Sequence, residues 1–114
     1  MTSGVRTIVI PVKDAARSRE TYAALLGVAP HTDQPYYVGF NVAGQEIGLD
    51  PNGHAGGLTM PVAFWQVDDI GAAVARLLSA GAGVNQPARE VGGGRTIAVM
   101  KDADGNLIGL AQDR

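Results

Sequence analysis

A chain of 114 residues is the size of one domain and buries roughly two-thirds of its surface on folding. The formal net charge is −2 with the charges scattered, so no basic stripe invites nucleic acid or an anionic membrane. The lack of cysteine excludes a disulfide framework, a thiolate nucleophile and cysteine-type metal sites.

The opening "MTSGVRTIVIPV" has too short an apolar run for a signal peptide, and no segment approaches the ~18–20 apolar residues of a membrane span. A soluble cytoplasmic protein is therefore expected. Residues 6–14, "RTIVIPVKD", are rich in β-branched side chains and predict a buried strand. Asp14 is placed to cap a helix over 15–26, with Ser18, Tyr22, Leu25 and Leu26 on one face and Gly27 as its stop. "GVAPHTDQP" predicts an irregular connection with room for one brief strand. "YYVGFNV" and "QEIGLD" predict two strands joined at Ala43-Gly44, a two-residue hairpin signal. Residues 51–60, "PNGHAGGLTM", carry no periodicity and read as a linker.

The plan then repeats. "PVAFWQVDD" (61–69) predicts a strand ending in an aspartate, and Ile70, Ala73, Val74, Leu77 and Leu78 mark an amphipathic helix. "VNQPAREV" predicts an edge strand because it contains a proline. "RTIAVMK" and "NLIGLAQ" predict a hairpin around "DADG". Val12 and Asp14 match Val67 and Asp69 at an offset of 55, and Gly44, Ile47, Gly48 and Leu49 match Gly105, Ile108, Gly109 and Leu110 at 61. The chain is thus an internal duplication: module one spans about 5–51, the linker about 51–60 and module two about 61–113, all in a single domain over 1–114. Neither half could bury one helix and a one-sided sheet alone.

Paired βαβββ modules, a "V-x-D" before each helix and the closing "DADGNLIGL" resemble the vicinal oxygen chelate superfamily of glyoxalases, bleomycin-resistance proteins and extradiol dioxygenases. The resemblance runs from about Arg6 to Gln112. It implies an α+β fold: two βαβββ modules forming a curved mixed sheet with a concave cleft. It also implies metal-ligand positions, which fall on Thr7, Gly48, Val62 and Gly109. Glycine and valine offer no donor atom, and a divalent ion needs three or four converging nitrogen or oxygen atoms. No metal and no cofactor is therefore expected, and glyoxalase or dioxygenase activity is put in doubt. A strand-interior glycine costs roughly 0.5–1 kcal/mol relative to alanine. Gly48 and Gly109 either open a cleft floor for a ligand or let a neighbour pack closely.

Strand alternation extends the face that carries those four positions. It adds Val9, Tyr37, Asn41, Glu46, Asp50, Phe64, Gln66, Leu107 and Ala111, and the same hairpin logic adds Thr96, Ala98 and Met100. Ile8, Ile10, Val38, Phe40, Ile47, Leu49, Trp65, Ile97, Val99 and Ile108 are expected to pack under the helices. The candidate ligand-binding residues are Thr7, Tyr37, Asn41, Glu46, Gly48, Asp50, Val62, Phe64, Gln66, Met100 and Gly109, a mixed set of apolar surface and polar handles, as small-molecule sites combine them.

Glu46 and Asp50 stand about 13 Å apart along one strand, too far to act as a carboxylate pair, and each also reads as a rim charge in water. Trp65 reads as core or dimer contact. His31 and His54 fall in loops and read as solvated. "DADG" reads as a turn, since Leu107 occupies the position where a calcium loop needs glycine. "GGGR" (92–95) reads as a flexible loop.

Three functions follow. The first is a metal-free small-molecule-binding protein, sequestering an aromatic or antibiotic-like ligand in the concave cleft. The alternative is a lyase, isomerase or dioxygenase-type enzyme with a displaced metal site or with Glu46 or Asp50 as a carboxylate base. The third is an interaction module whose cleft is closed by side chains. A homodimer is expected in each case.

Overall fold

The computed structural model describes residues 2–113. The elements run β1 (Thr2–Pro11), α1 (Ala15–Leu26), β2 (Thr32–Gln34), β3 (Tyr37–Val42), β4 (Gln45–Asp50), β5 (Val62–Val67), α2 (Ile70–Ser79), β6 (Gly83–Gly92), β7 (Arg95–Lys101) and β8 (Leu107–Gln112). This is the expected α+β class with its twofold βαβββ plan. Among the described residues no helix is long and apolar enough to cross a membrane.

The chain divides into two compact units, Arg6–Pro61 and residues 62 onward. The division is not at the linker alone. Residues 2–5 go with the second unit, where the Thr2 hydroxyl donates to the Gln66 carbonyl at 2.7 Å.

In the N-terminal unit the strand order is β2-β3-β4-β1. β1 and β4 run parallel, with Thr7 opposite Glu46 and Val9 opposite Gly48. The β3–β4 hairpin turns at Ala43 and Gly44, whose φ angles are 52° and 82°. A two-residue hairpin of this kind needs positive φ at both central positions, and it fixes Asn41 against Glu46. Asp14 caps α1 by accepting from the Arg17 backbone N–H at 3.1 Å. Under α1 lie Val12, Val38, Phe40 and Leu49, with Ile10, Tyr22, Ala23, Leu26 and Ile47 packed against them. Leu25 corrects the expected helix face: it is 74% exposed, and Ala23 takes its place in the packing. An apolar residue one step off the buried stripe is ordinary on a helix surface.

In the C-terminal unit the order is β5-β8-β7-β6. Asp69 caps α2 through the Ala72 N–H at 3.1 Å. Beneath α2 the core gathers Val67, Ile70, Ala98, Met100 and Leu110, with Ala73, Val74, Leu77 and Ile108 around it. Ala98 and Met100 are therefore on the helix side, and so is Thr96, which pairs with Gln112. The expectation that these three join the Gly109 face is corrected. Ile97 and Val99 share that face instead, opposite Ala111 and Gly109.

The cause is the turn. Asp102 N–H bonds the Asn106 carbonyl at 2.9 Å and Gly105 N–H bonds the Asp102 carbonyl at 3.1 Å, with Gly105 at φ 86°. That makes a three-residue hairpin loop closed by a left-handed glycine, and an odd loop inverts the parity that a two-residue loop gives. The Asp102 carboxylate also accepts from the Asn106 and Asp104 backbone N–H groups. These bonds, the Asn106 backbone first, hold its pKa below the usual 3.8.

β6 lies at the end of its unit's strand order, as its proline requires, and its register against β7 shifts in three places.

Candidate functional site

In the N-terminal unit the site is built from β3 and β4, with the residues that lead into β2. Gly39 and Gly48 are directly paired across the hairpin, so two adjacent strands lack side chains at one spot. Tyr37 shares their face and lays its ring across the gap. A Cβ on Gly48 would lie 2.5 Å from the Tyr37 hydroxyl and 2.6 Å from its ring. A Cβ on Gly39 would lie 2.7 Å from the same ring. The glycine floor is thus covered, and what covers it is aromatic. Contact between an aromatic ring and a strand glycine restores packing that the missing side chain gives up.

The ring ends in a hydroxyl that donates to Glu46 Oε2 at 2.8 Å. His31 Nε2 stands 2.9 Å from both oxygens of the same carboxylate. The other ring nitrogen, Nδ1, is 2.8 Å from Thr32 Oγ1. Four side chains therefore form one chain of hydrogen bonds: Thr32, His31, Glu46 and Tyr37. With both nitrogens engaged the imidazole cannot rotate freely. The Thr32 hydroxyl can donate to a neutral ring or accept from a charged one. The Glu46 side chain is 24% exposed and that of His31 45% exposed, so the carboxylate is partly screened from water and the imidazole opens onto it.

Sequence alternation finds Tyr37, Glu46 and Gly48 but misses His31 and Thr32. The expectation that His31 is simply solvated is corrected by its bonds to Glu46 and Thr32. The missing signal is the second hairpin: Gln34 pairs with Tyr37 and Thr32 with Gly39 around Pro35-Tyr36. His31 N–H then donates to the Gly39 carbonyl at 2.9 Å, which seats the imidazole over the glycine pair. The rest of the expected face is less concentrated. Thr7 and Asn41 flank Glu46 in register, Thr7 being 7% exposed. Asp50 accepts the Asn52 N–H at 2.9 Å and shapes the turn after β4.

In the C-terminal unit Gly109 is also crossed by a ring. A Cβ there would lie 2.6 Å from the Phe64 ring and 2.8 Å from the Ala63 carbonyl oxygen. Phe64 comes from β5, where it pairs with Gly109, and is 4% exposed; Val62 is fully buried. Gln66 donates to Asp113 at 3.0 Å, and Arg95 grips the same carboxylate at 2.8 and 3.3 Å. Met100 is buried in the core under α2 and belongs to no such face. Trp65, expected as core or contact, is 41% exposed.

The residues present do not fit a divalent ion at the inherited positions. Gly48, Gly109 and Val62 carry no donor, and the space above each glycine is filled by a ring. A displaced centre would need a third strong donor beside His31 and Glu46. Among the described residues no three His, Cys, Asp or Glu side chains gather to hold a metal.

The family described as "Glyoxalase/Bleomycin resistance protein/Dioxygenase superfamily" matches residues 4–110. No curated protein matches the sequence. Among solved structures, a superfamily member of the same description from Vibrio splendidus 12B01 is similar at 16% identity and TM-score 0.71, covering 94% of this chain and 97% of that one. Methylmalonyl-CoA epimerase from Mycobacterium tuberculosis is similar at 22% identity and TM-score 0.67, covering 99% and 89%. An NAD-dependent benzaldehyde dehydrogenase from Legionella pneumophila is similar at 21% identity and TM-score 0.72, covering 95% and 98%. Three such different descriptions on one architecture show the likeness to be one of fold.

Proposed function

The chain belongs to the Glyoxalase/Bleomycin resistance protein/Dioxygenase superfamily, and from that membership we propose that it is a metal-free small-molecule-binding protein that holds an aromatic or antibiotic-like ligand. The observation that carries this reading is the Tyr37 ring lying on the Gly39–Gly48 floor, with its hydroxyl tied to Glu46. A flat apolar plane edged by a carboxylate and an imidazole suits a planar ligand with a polar rim. Thr7, Asn41 and Asp50 complete the polar edge in this unit. Phe64, Gln66, Val62 and Gly109 are the corresponding candidates in the other.

The charge pattern narrows the ligand. Residues 36–52 contain two carboxylates and no lysine or arginine. A polyanion such as an acyl-CoA would meet repulsion at Glu46 and Asp50, so a neutral ligand is favoured over the kind that the epimerase's name implies. The expected assembly is a homodimer in the cytoplasm, and light scattering checks the dimer by its mass.

The test is a thermal melt against a panel of neutral planar aromatic compounds. A true ligand at 100 times its Kd adds about 2.7 kcal/mol of stability and raises Tm accordingly. A panel that leaves the melt unmoved would remove the support for binding. The second reading is an enzyme of the same superfamily, a lyase or isomerase using a carboxylate base. It is favoured by one observation, the double hydrogen bonding of Glu46 by Tyr37 and His31.

A further inference from the structure

We infer from the geometry that Glu46 is the general base of a metal-free proton-transfer centre, positioned by His31 and Tyr37, for neutral planar aromatic molecules that carry an acidic C–H bond. The inference rests on the reading that this sheet face binds such molecules.

Four features converge. The carboxylate is fixed from two sides, by the phenol at 2.8 Å and the imidazole at 2.9 Å. A carboxylate has about four acceptor sites, and these partners take at most three, so one lone pair is left for a substrate proton. Glu46 is partly screened from water, which raises the reactivity of a carboxylate base, but it remains reachable. The Tyr37 ring beside it supplies the plane on which an aromatic substrate stacks, edge toward the carboxylate. These hydrogen bonds restrain the carboxylate. They hold it in one orientation, and orientation is a large part of what a positioned base contributes to a proton transfer.

The reaction that reads this out is the base-promoted opening of nitrobenzisoxazole. Glu46 takes the ring C–H proton, the C–H electron pair becomes the third bond of a nitrile, and the N–O bond breaks with its pair on oxygen. The product is a coloured cyano-nitrophenolate. The proton on Glu46 then returns to water, which the exposed imidazole of His31 adjoins. No oxidant, reductant or co-reactant is needed.

Turnover of nitrobenzisoxazole by the purified protein is compared with acetate at equal concentration, and binding is measured separately with nitroindole, a neutral planar analogue without the N–O bond. Wild type should exceed acetate, and Glu46→Gln should lower kcat by about a hundredfold while still binding the analogue. Acetate should restore turnover to Glu46→Ala, which a merely structural role for Glu46 would not allow. His31→Gln should lower kcat by a larger factor than it raises KM. Analogue binding without turnover above acetate, or turnover that survives Glu46→Gln, overturns the base and leaves the binding reading standing. Neither binding nor turnover overturns both for this class of molecule.

Discussion

The glycine inside each "IGL" lies beneath an aromatic ring, but the rings come from different strands and end in different surroundings. Over Gly48 the ring is Tyr37, from the antiparallel hairpin partner, and its hydroxyl joins a polar chain of three further side chains. Over Gly109 the ring is Phe64, from the parallel neighbour β5, and it is buried. Leu107 stands where Glu46 stands 61 positions earlier. The same βαβββ plan thus carries a packed half and a half with acid–base groups at its surface. The glycines are common to both because each backbone must let a ring approach; the chemistry belongs to what surrounds the ring.

The sharpest way to break this contrast is to delete the rings. Phe64→Ala should cost about 3–5 kcal/mol, as for a buried aromatic. Tyr37→Ala should cost no more than about half of that, because its ring is only partly buried. Urea unfolding of the two variants decides, and equal losses would mean that both rings are core. Next come the glycines. Gly109→Ala should cost about 1–3 kcal/mol, because the Ala63 carbonyl as well as Phe64 blocks the new methyl group and backbone cannot swing aside. The nearest atoms to a new methyl at Gly48 all belong to the Tyr37 side chain, which can turn outward, so the loss of stability in Gly48→Ala should be smaller while ligand binding is abolished.

The Asp102 turn gives a pH-dependent difference. Its carboxyl is held below the ordinary 3.8, so the ionised form is favoured by folding. That contribution is fully present above 3.8 and is lost as pH falls through the lower folded value. Melts of wild type and Asp102→Ala should therefore differ at neutral pH and converge in strong acid. The smallest expected effect is Leu25→Ala, within about 0.5 kcal/mol in the same unfolding assay, since that side chain is 74% exposed.

Much of this was legible because it is local. Asp14 and Asp69 announce their helices, and Ala43-Gly44 fixes the register that puts Tyr37, Asn41, Glu46 and Gly48 on one face. Sequence alternation puts Met100 on the wrong face because the β7–β8 loop has three residues ending at Gly105, and an odd loop inverts the parity of a two-residue turn. His31 escapes sequence alternation because it is 15 residues from Glu46 and reaches it only through the short β2 strand, whose pairing has little apolar pattern to reveal it. Leu25 misled because apolar spacing marks a stripe, not which edge of the stripe is covered.

The most direct test is a backbone NMR titration of the uniformly labelled protein with the planar aromatic panel. The account predicts shifts concentrated at His31, Thr32, Tyr37, Gly39, Glu46 and Gly48. Shifts confined to residues 62–113, or none with any compound, would contradict it.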